Sequence, residues 1–175
     1  MTHQINLRLW ADGDLPLLQR LMGDPLMTAH LGGPETPAQI RHRHARYCRL
    51  PTVGDDRMFV ILAGPQQVPA GSIGYWESEW QDAAVWETGW SVLPEFQSQG
   101  IATAALRLLL PRLRAVGGHR YLHAFPAIDN APSNAICRKA GFTLQGEATA
   151  EYPAGRFMQV HDWRLDLADD TAVTP

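Results

Sequence analysis

The chain lacks any Cys-x-x-Cys pair. Its two cysteines, Cys48 and Cys137, lie far apart. That argues against a disulfide framework or a metal site and fits reduced thiols in a cytoplasm. No apolar run approaches the ~20 residues needed to cross a bilayer. The opening MTHQINLRLWADGD carries no apolar leader core. A cytoplasmic location without a membrane partner is therefore expected. There is no excess of basic charge: 15 Lys and Arg against 18 Asp and Glu leave a formal charge of -3, so nucleic acid is not an expected partner. A G-x-x-x-x-G-K-S/T loop is missing, which disfavours a nucleotide-binding module. Repeats and low-complexity tracts are missing too.

What is present is 175 residues of ordinary globular composition, enough for one domain with a real core. The most informative stretch is VWETGWSVLPEFQSQGIATAA, Val85 to Ala105. Val85, Trp86, Trp90 and Val92 favour a strand, Pro94 ends it, and Gln97 to Ala102 lead into good helix formers. A helix starting there offers unpaired N–H groups and the positive end of its dipole to an anion. The small residues permit close approach of a phosphate.

The remaining pattern can be taken in order. Ile5 to Trp10 alternates as a strand. Asp12 or Asp14 is placed to cap a helix using Leu15, Leu18, Leu21 and Met22. A Gly-rich loop follows. Thr36-Pro37 starts a second helix, on which Arg43, Arg46 and Arg49 form a stripe expected to be solvated. Pro51 to Asp56 reads as a turn, and Met58–Ala63 and Ala70–Trp76 as a hairpin. Residues 77–83 read as a polar link. The central helix should be kinked or shortened at Pro111 and stopped at Gly117-Gly118. A strand from Tyr121 to Phe125, a helix from Ala131 to Ala140 capped by Asp129 or Asn130, and strands from Phe142 to Tyr152 and Arg156 to Leu167 complete it. This predicts a mixed α/β (α+β) domain over residues 1–167, with about seven strands in one sheet, about four helices, and a loose tail over 168–175.

Three pieces resemble the Gcn5-related N-acetyltransferase (GNAT) superfamily. Gln97-x-x-Gly100-x-Ala102 matches its Q/R-x-x-G-x-G/A loop. Glu87 to Pro94 is similar to its central strand. Asn130-Ala131-Pro132-Ser133-Asn134 through Gly141-Phe142 resembles the N-x-x-S/A…G-F unit of the RimJ/RimL-like branch. The resemblance covers nearly the whole chain. It implies a single-domain GNAT fold and direct transfer of acetyl from acetyl-CoA to an amine, with CoA as product. It implies that Trp90, Ser91 and Val92 hold the pantetheine through backbone groups. It implies that Gln97, Ser98, Gln99, Gly100, Ile101, Ala102 and Thr103 hold the pyrophosphate, and that Asn130 and Ser133 lie by the cofactor.

An attacking amine must be neutral, so a base is required, and a leaving thiolate benefits from an acid. Glu87 sits where relatives often carry a base; His123 is a second candidate, having the intrinsic pKa for the task. Many relatives place a tyrosine acid seven residues after the asparagine, and here that position is Cys137. The RimJ/RimL-like branch uses a serine at the position of Ser133, the preferred acid here, with Cys137 as the alternative.

The acceptor end is rich in indoles and carboxylates: Trp76, Glu77, Trp80, Trp86 and Glu87. Indole faces attract cations and the apolar faces of sugars. This suits a small cationic amine such as an aminoglycoside-type aminosugar. The alternatives are a peptide N-terminus of a ribosomal or other protein, which needs an open groove, and a non-catalytic acyl-CoA-binding sensor. The two long C-terminal strands leave pairing as a homodimer open.

Overall fold

The computed structural model describes residues 4–169. The expected tail lies outside the described residues from position 170. The strands are β1 (Ile5–Leu9), β2 (Arg57–Ala63), β3 (Val68–Trp80), β4 (Ala83–Val92), β5 (Tyr121–Ala124), β6 (Thr143–Glu151) and β7 (Phe157–Asp166); the helices are α1 (Leu15–Gly23), α2 (Pro37–Val53), α3 (Ile101–Val116) and α4 (Ala131–Lys139). The element order is the expected one. One mixed sheet of seven strands runs β1-β2-β3-β4-β5-β7-β6.

Helices cover both faces of the sheet. On one, α3 buries Ile101, Ala102, Ala105, Leu106, Leu109, Leu110 and Leu113. Each such leucine stabilises the fold by about 1.5–3 kcal/mol. On the other, Leu17, Leu18 and Leu21 of α1 and Ile40 and Tyr47 of α2 form a second core. Phe59 and Ile61 of β2 enter the α3 core, whereas Met58 and Val60 enter the second. This two-sided burial explains why β2 reads as an unbroken apolar run.

Several local expectations are corrected. Residues 77–83 are not a link. β3 runs to Trp80 and β4 starts at Ala83, joined by Gln81 and Asp82 with φ of 50° and 61°. That is the primed-turn geometry that matches strand twist; neither residue is the glycine or asparagine that announces it. Pro111 lies inside α3 without shortening it, and the helix stops before Gly117 as expected. Pro51 lies inside α2, which continues to Val53. The Asp14 side chain does not cap α1. It pairs with Arg8 at 2.7 Å and accepts from the Ala11 N–H. Thr36 caps α2 as expected.

Two features of the sheet determine where a site can form. All neighbours are antiparallel except β4 and β5, which run parallel over only two pairs, Trp86↔Leu122 and Glu87↔His123. Beyond Glu87, β4 continues to Val92 bonded to β3 alone, because β5 ends at Ala124. A wedge thus opens at the middle of the sheet, and one edge of residues 88–92 faces it with no strand partner.

Candidate active site

Both ends of the β4–α3 unit are shaped by local chemistry. After β4, Pro94–Phe96 forms a single 3-10 turn. Gln97 then donates its amide to the Val92 carbonyl at 2.9 Å, and Gln99 donates to the Glu95 carbonyl at 2.9 Å. These bonds fold the loop back on the strand end. Ser98 has φ of 60°, and Gly100, preceding the first turn of α3, has φ of 75°. No side chain caps α3, so its first N–H groups are available to a ligand. A Cβ built on Gly100 meets nothing within 4 Å. An uncapped helix N-terminus of 16 residues, a left-handed glycine and open space above it fit a pyrophosphate. The unpartnered edge of β4 fits the amide-bearing pantetheine arm, whose groups would continue the missing ladder. The residues present therefore suit acetyl-CoA. Gln97 acts on this loop through its side chain as a brace on Val92.

On α4, Asn130 caps the helix: its Oδ1 accepts from the Ser133 N–H at 3.2 Å. Ser133 is half-buried, and no hydrogen bond among the described residues engages its hydroxyl. That leaves the hydroxyl able to donate. Cys137 is fully buried in the α3 core, and burial pushes its thiol up to about 12. With no accessible surface it cannot deliver a proton to the reacting sulfur, so this candidate acid is withdrawn. Ser133→Ala is expected to lower kcat about tenfold with little change in the KM for acetyl-CoA, the pattern of an interaction made in the transition state. A wild-type kcat would leave water as the acid.

The expected acceptor residues Trp76 and Glu87 lie on the α1/α2 face of the sheet. Trp76 pairs with Glu87 across β3–β4, and Glu87 with His123 across β4–β5, so these side chains share a face. The Trp76 ring lies over Gly89, where an added Cβ would stand 3.0 Å from it. Glu87 is half-buried, and burial raises its carboxyl above the ordinary carboxylate range. Hydrogen bonding from Ser78 and Trp76 and the neighbouring His123 pull partly against that. His123 is buried and bonds Asp162 through Nδ1 at 2.7 Å. The other Asp162 oxygen accepts from the Trp80 indole at 2.9 Å. Trp80 packs on Phe125 with ring centres 4.5 Å apart, and Phe125 stacks on His123 at 5.7 Å. Asp162 is the site residue that sequence reasoning missed.

Two expected acceptor residues face the other way. Trp86 is 1% exposed, sits in the α3 core and donates to the Gly117 carbonyl at 2.8 Å. Glu77 pairs with Trp86 across the hairpin and with His119 at 3.0 Å. It lines a shallow depression of about 470 Å³ with Glu79 and Asp82. Strand alternation alone could have excluded both: Trp86 and Glu87, like Trp76 and Glu77, are sequence neighbours and point to opposite faces.

The α1–α2 loop packs Met27 and Leu31 against the core of this face and is tied at four places. Gln97 reaches Met27 Sδ at 3.6 Å. His30 pairs with Asp129 at 3.2 Å. The Gly32 backbone lies against Pro153 of the β6–β7 turn, 2.8 Å from where a Cβ would stand. Arg43, expected on a solvated stripe, is instead largely buried: it pairs with Glu35 and donates to the hydroxyls of Tyr47 at 3.2 Å and Tyr152 at 3.1 Å. Away from this face, Asp12, His44 and Cys48 bring their ligand atoms within 4.8 Å of one another. The Trp10 indole donates to His44 Nδ1 at 3.1 Å, which leaves Nε2 protonated toward the Cys48 thiol. That is a hydrogen-bonded cluster, not a set of free lone pairs.

Comparison with known proteins agrees with this geometry. A family model described as an acetyltransferase (GNAT) domain matches residues 4–143. No curated protein sequence matches the chain significantly. Among solved structures, a spermidine N-acetyltransferase from Vibrio cholerae in complex with CoA and spermine has TM-score 0.77 and 18% identity, covering 94% of this chain and 96% of that one. An acetyltransferase from Salmonella typhimurium that modifies the N-terminal serine of ribosomal protein L7/L12 has TM-score 0.75 and 23% identity, covering 93% and 94%. An aminoglycoside acetyltransferase in complex with coenzyme A has TM-score 0.73 and 17% identity, covering 93% and 95%. At these identities the likeness is one of fold. With a family match across most of its length, the chain belongs to the GNAT acetyltransferases and is an N-acetyltransferase that uses acetyl-CoA.

Proposed function

We propose that the enzyme acetylates a primary amine of a small cationic molecule, of the aminoglycoside-type aminosugar class. The observation that carries this reading is the clasp over the acceptor face. The α1–α2 loop meets the β6–β7 turn directly through Gly32 and Pro153, and Glu35 of the loop is linked to Tyr152 of that turn through Arg43 of α2. A bridged face favours a compact acceptor over a polypeptide laid across it. In the same region, the rings of Trp76, Trp80 and Phe125 and the carboxylate of Glu87 suit an ammonium group carried on a partly apolar frame.

Acetyl-CoA supplies an activated acyl carbon as a thioester. The free N–H groups from Ser98 to Thr103 bind its pyrophosphate. The edge of β4 at Trp90, Ser91 and Val92 that has no strand partner would align its arm, and one N–H there would polarise the carbonyl where charge develops. Glu87 takes a proton from the acceptor ammonium through water, and the Ser133 hydroxyl protonates the departing sulfur. A cytoplasmic setting supplies the donor. Among the described residues no helix is long and apolar enough to cross a membrane.

A panel of amines assayed for CoA release tests the reading. It includes aminosugars, polyamines and peptides with free N-termini. Turnover of compact cationic amines at kcat/KM at least tenfold above peptides is the expected result. Preference for peptide N-termini would overturn the acceptor class. Acetyl-CoA binding with no CoA release on any amine would point to a sensor domain.

A further inference from the structure

Acylating an ammonium group removes two protons from one nitrogen. The first must leave before the lone pair can attack, and the second leaves as the N–C bond becomes an amide. The C–S bond breaks, one proton ends on the CoA thiol and the other goes to water. One carboxylate holds one proton at a time, so the chemistry favours a second acceptor beside Glu87.

We infer that Nε2 of His123 is that second acceptor, and that Asp162 is the positioning residue that keeps Nε2 free. The inference rests on the proposed role of Glu87 at the amine, though not on which amine is bound. His123 and Asp162 are each 5% exposed. As a carboxylate, Asp162 only accepts hydrogen bonds, so the 2.7 Å contact puts the imidazole proton on Nδ1. Nε2 then carries the lone pair. Among the described residues, no hydrogen bond takes Nε2, and no buried side-chain nitrogen or oxygen lacks a partner. Nε2 therefore reaches accessible space. His123 lies opposite Glu87 in the parallel register, at the point where β4 and β5 separate. The two acceptors thus stand side by side at the mouth of the wedge.

Trp80 makes the arrangement one-directional. Its indole N–H can only donate, and it occupies the second Asp162 oxygen at 2.9 Å. In Asp162→Asn the amide oxygen is held by Trp80, so the amide NH2 faces His123. Nδ1 must then accept, the ring proton moves to Nε2, and the lone pair that takes the substrate proton is lost. A comparable wrong tautomer is what disables an Asp-to-Asn triad in serine proteases.

The experiment combines histidine nitrogen NMR with steady-state kinetics on the full chain. In the wild type, His123 should show a protonated Nδ1 and an unprotonated Nε2. Asp162→Asn should exchange the two signals and lower kcat about 100-fold, leaving the KM for acetyl-CoA within about twofold. Adding Trp80→Phe frees the amide to turn its oxygen toward His123. It should restore the wild-type tautomer, which a merely structural loss would not do. A protonated Nε2 in the wild type, an exchanged tautomer with unchanged kcat, or a double variant that keeps the tautomer of Asp162→Asn would each overturn the inference. The NMR arm needs no acceptor, so it decides this point even if the amine panel refutes the small-amine reading.

Discussion

Gly100→Glu is expected to lower acetyl-CoA affinity at least about 100-fold, a loss of about 2.7 kcal/mol. The glycine stands at φ of 75° before the first turn of α3, with nothing within 4 Å of an added Cβ. The new side chain therefore has room to exist in the free protein. It would project into the space the pyrophosphate must enter, and its negative charge would occupy the positive helix end that the phosphates need. Backbone strain contributes separately, because an L-residue in the left-handed region costs about 1–2 kcal/mol. Gly100→Ala isolates that part: it carries the strain without the occlusion and should lose far less affinity. Calorimetric titration with acetyl-CoA measures both variants. Wild-type affinity in Gly100→Glu would remove the pyrophosphate from this loop.

Glu87→Gln is expected to lower kcat/KM for the amine about 100-fold while leaving acetyl-CoA binding intact. Burial raises the Glu87 carboxyl above the ordinary range, so the wild-type rate should rise with pH along a limb set above the usual ~4.3 of a glutamate. Glu87→Gln should lose that limb. The same shift predicts a stability effect of opposite sign to the activity effect. Between the unfolded value and the raised folded value, the folded state binds the proton and the unfolded state does not. Stability therefore falls as pH rises through that interval, and above it the cost of the buried charge is fully present. Glu87→Gln carries no such charge. Its Tm near pH 7 should equal or exceed that of the wild type, with the difference shrinking as pH falls toward 4. A pH–rate profile unaltered in Glu87→Gln would remove Glu87 as the base. A Tm gap that widens on acidification would contradict the direction of the shift.

Where these two residues sit explains what was legible beforehand. Gly100 belongs to a contiguous strand–turn–helix unit whose chemistry is local. Loop conformation, helix start and anion-binding N–H groups all follow from about ten neighbouring residues. Thr36 before Pro37, Asn130 before α4, and Gly117 after α3 were readable for the same reason, since caps and stops act within one helical turn. The Gln81-Asp82 turn escaped because its positive φ values are held by pairing of two long strands, with no glycine to signal them.

The sequence by itself determined the family, the element order and the strand–turn–helix shape of the proposed cofactor end of β4 and α3, because these depend on short-range patterns and on a motif that matches residue by residue. Only the tertiary structure decided which residues meet at the proposed acceptor end. There, Trp80, His123 and Asp162 come from three strands and meet through a register that no local pattern specifies. Pleat and register turned Trp86 into the core while leaving Glu87 beside His123. Long-range packing drew Arg43 from an apparently solvated stripe into the clasp with Glu35 and Tyr152. Binding a phosphate needs one well-formed turn, whereas choosing an amine needs distant strands brought face to face.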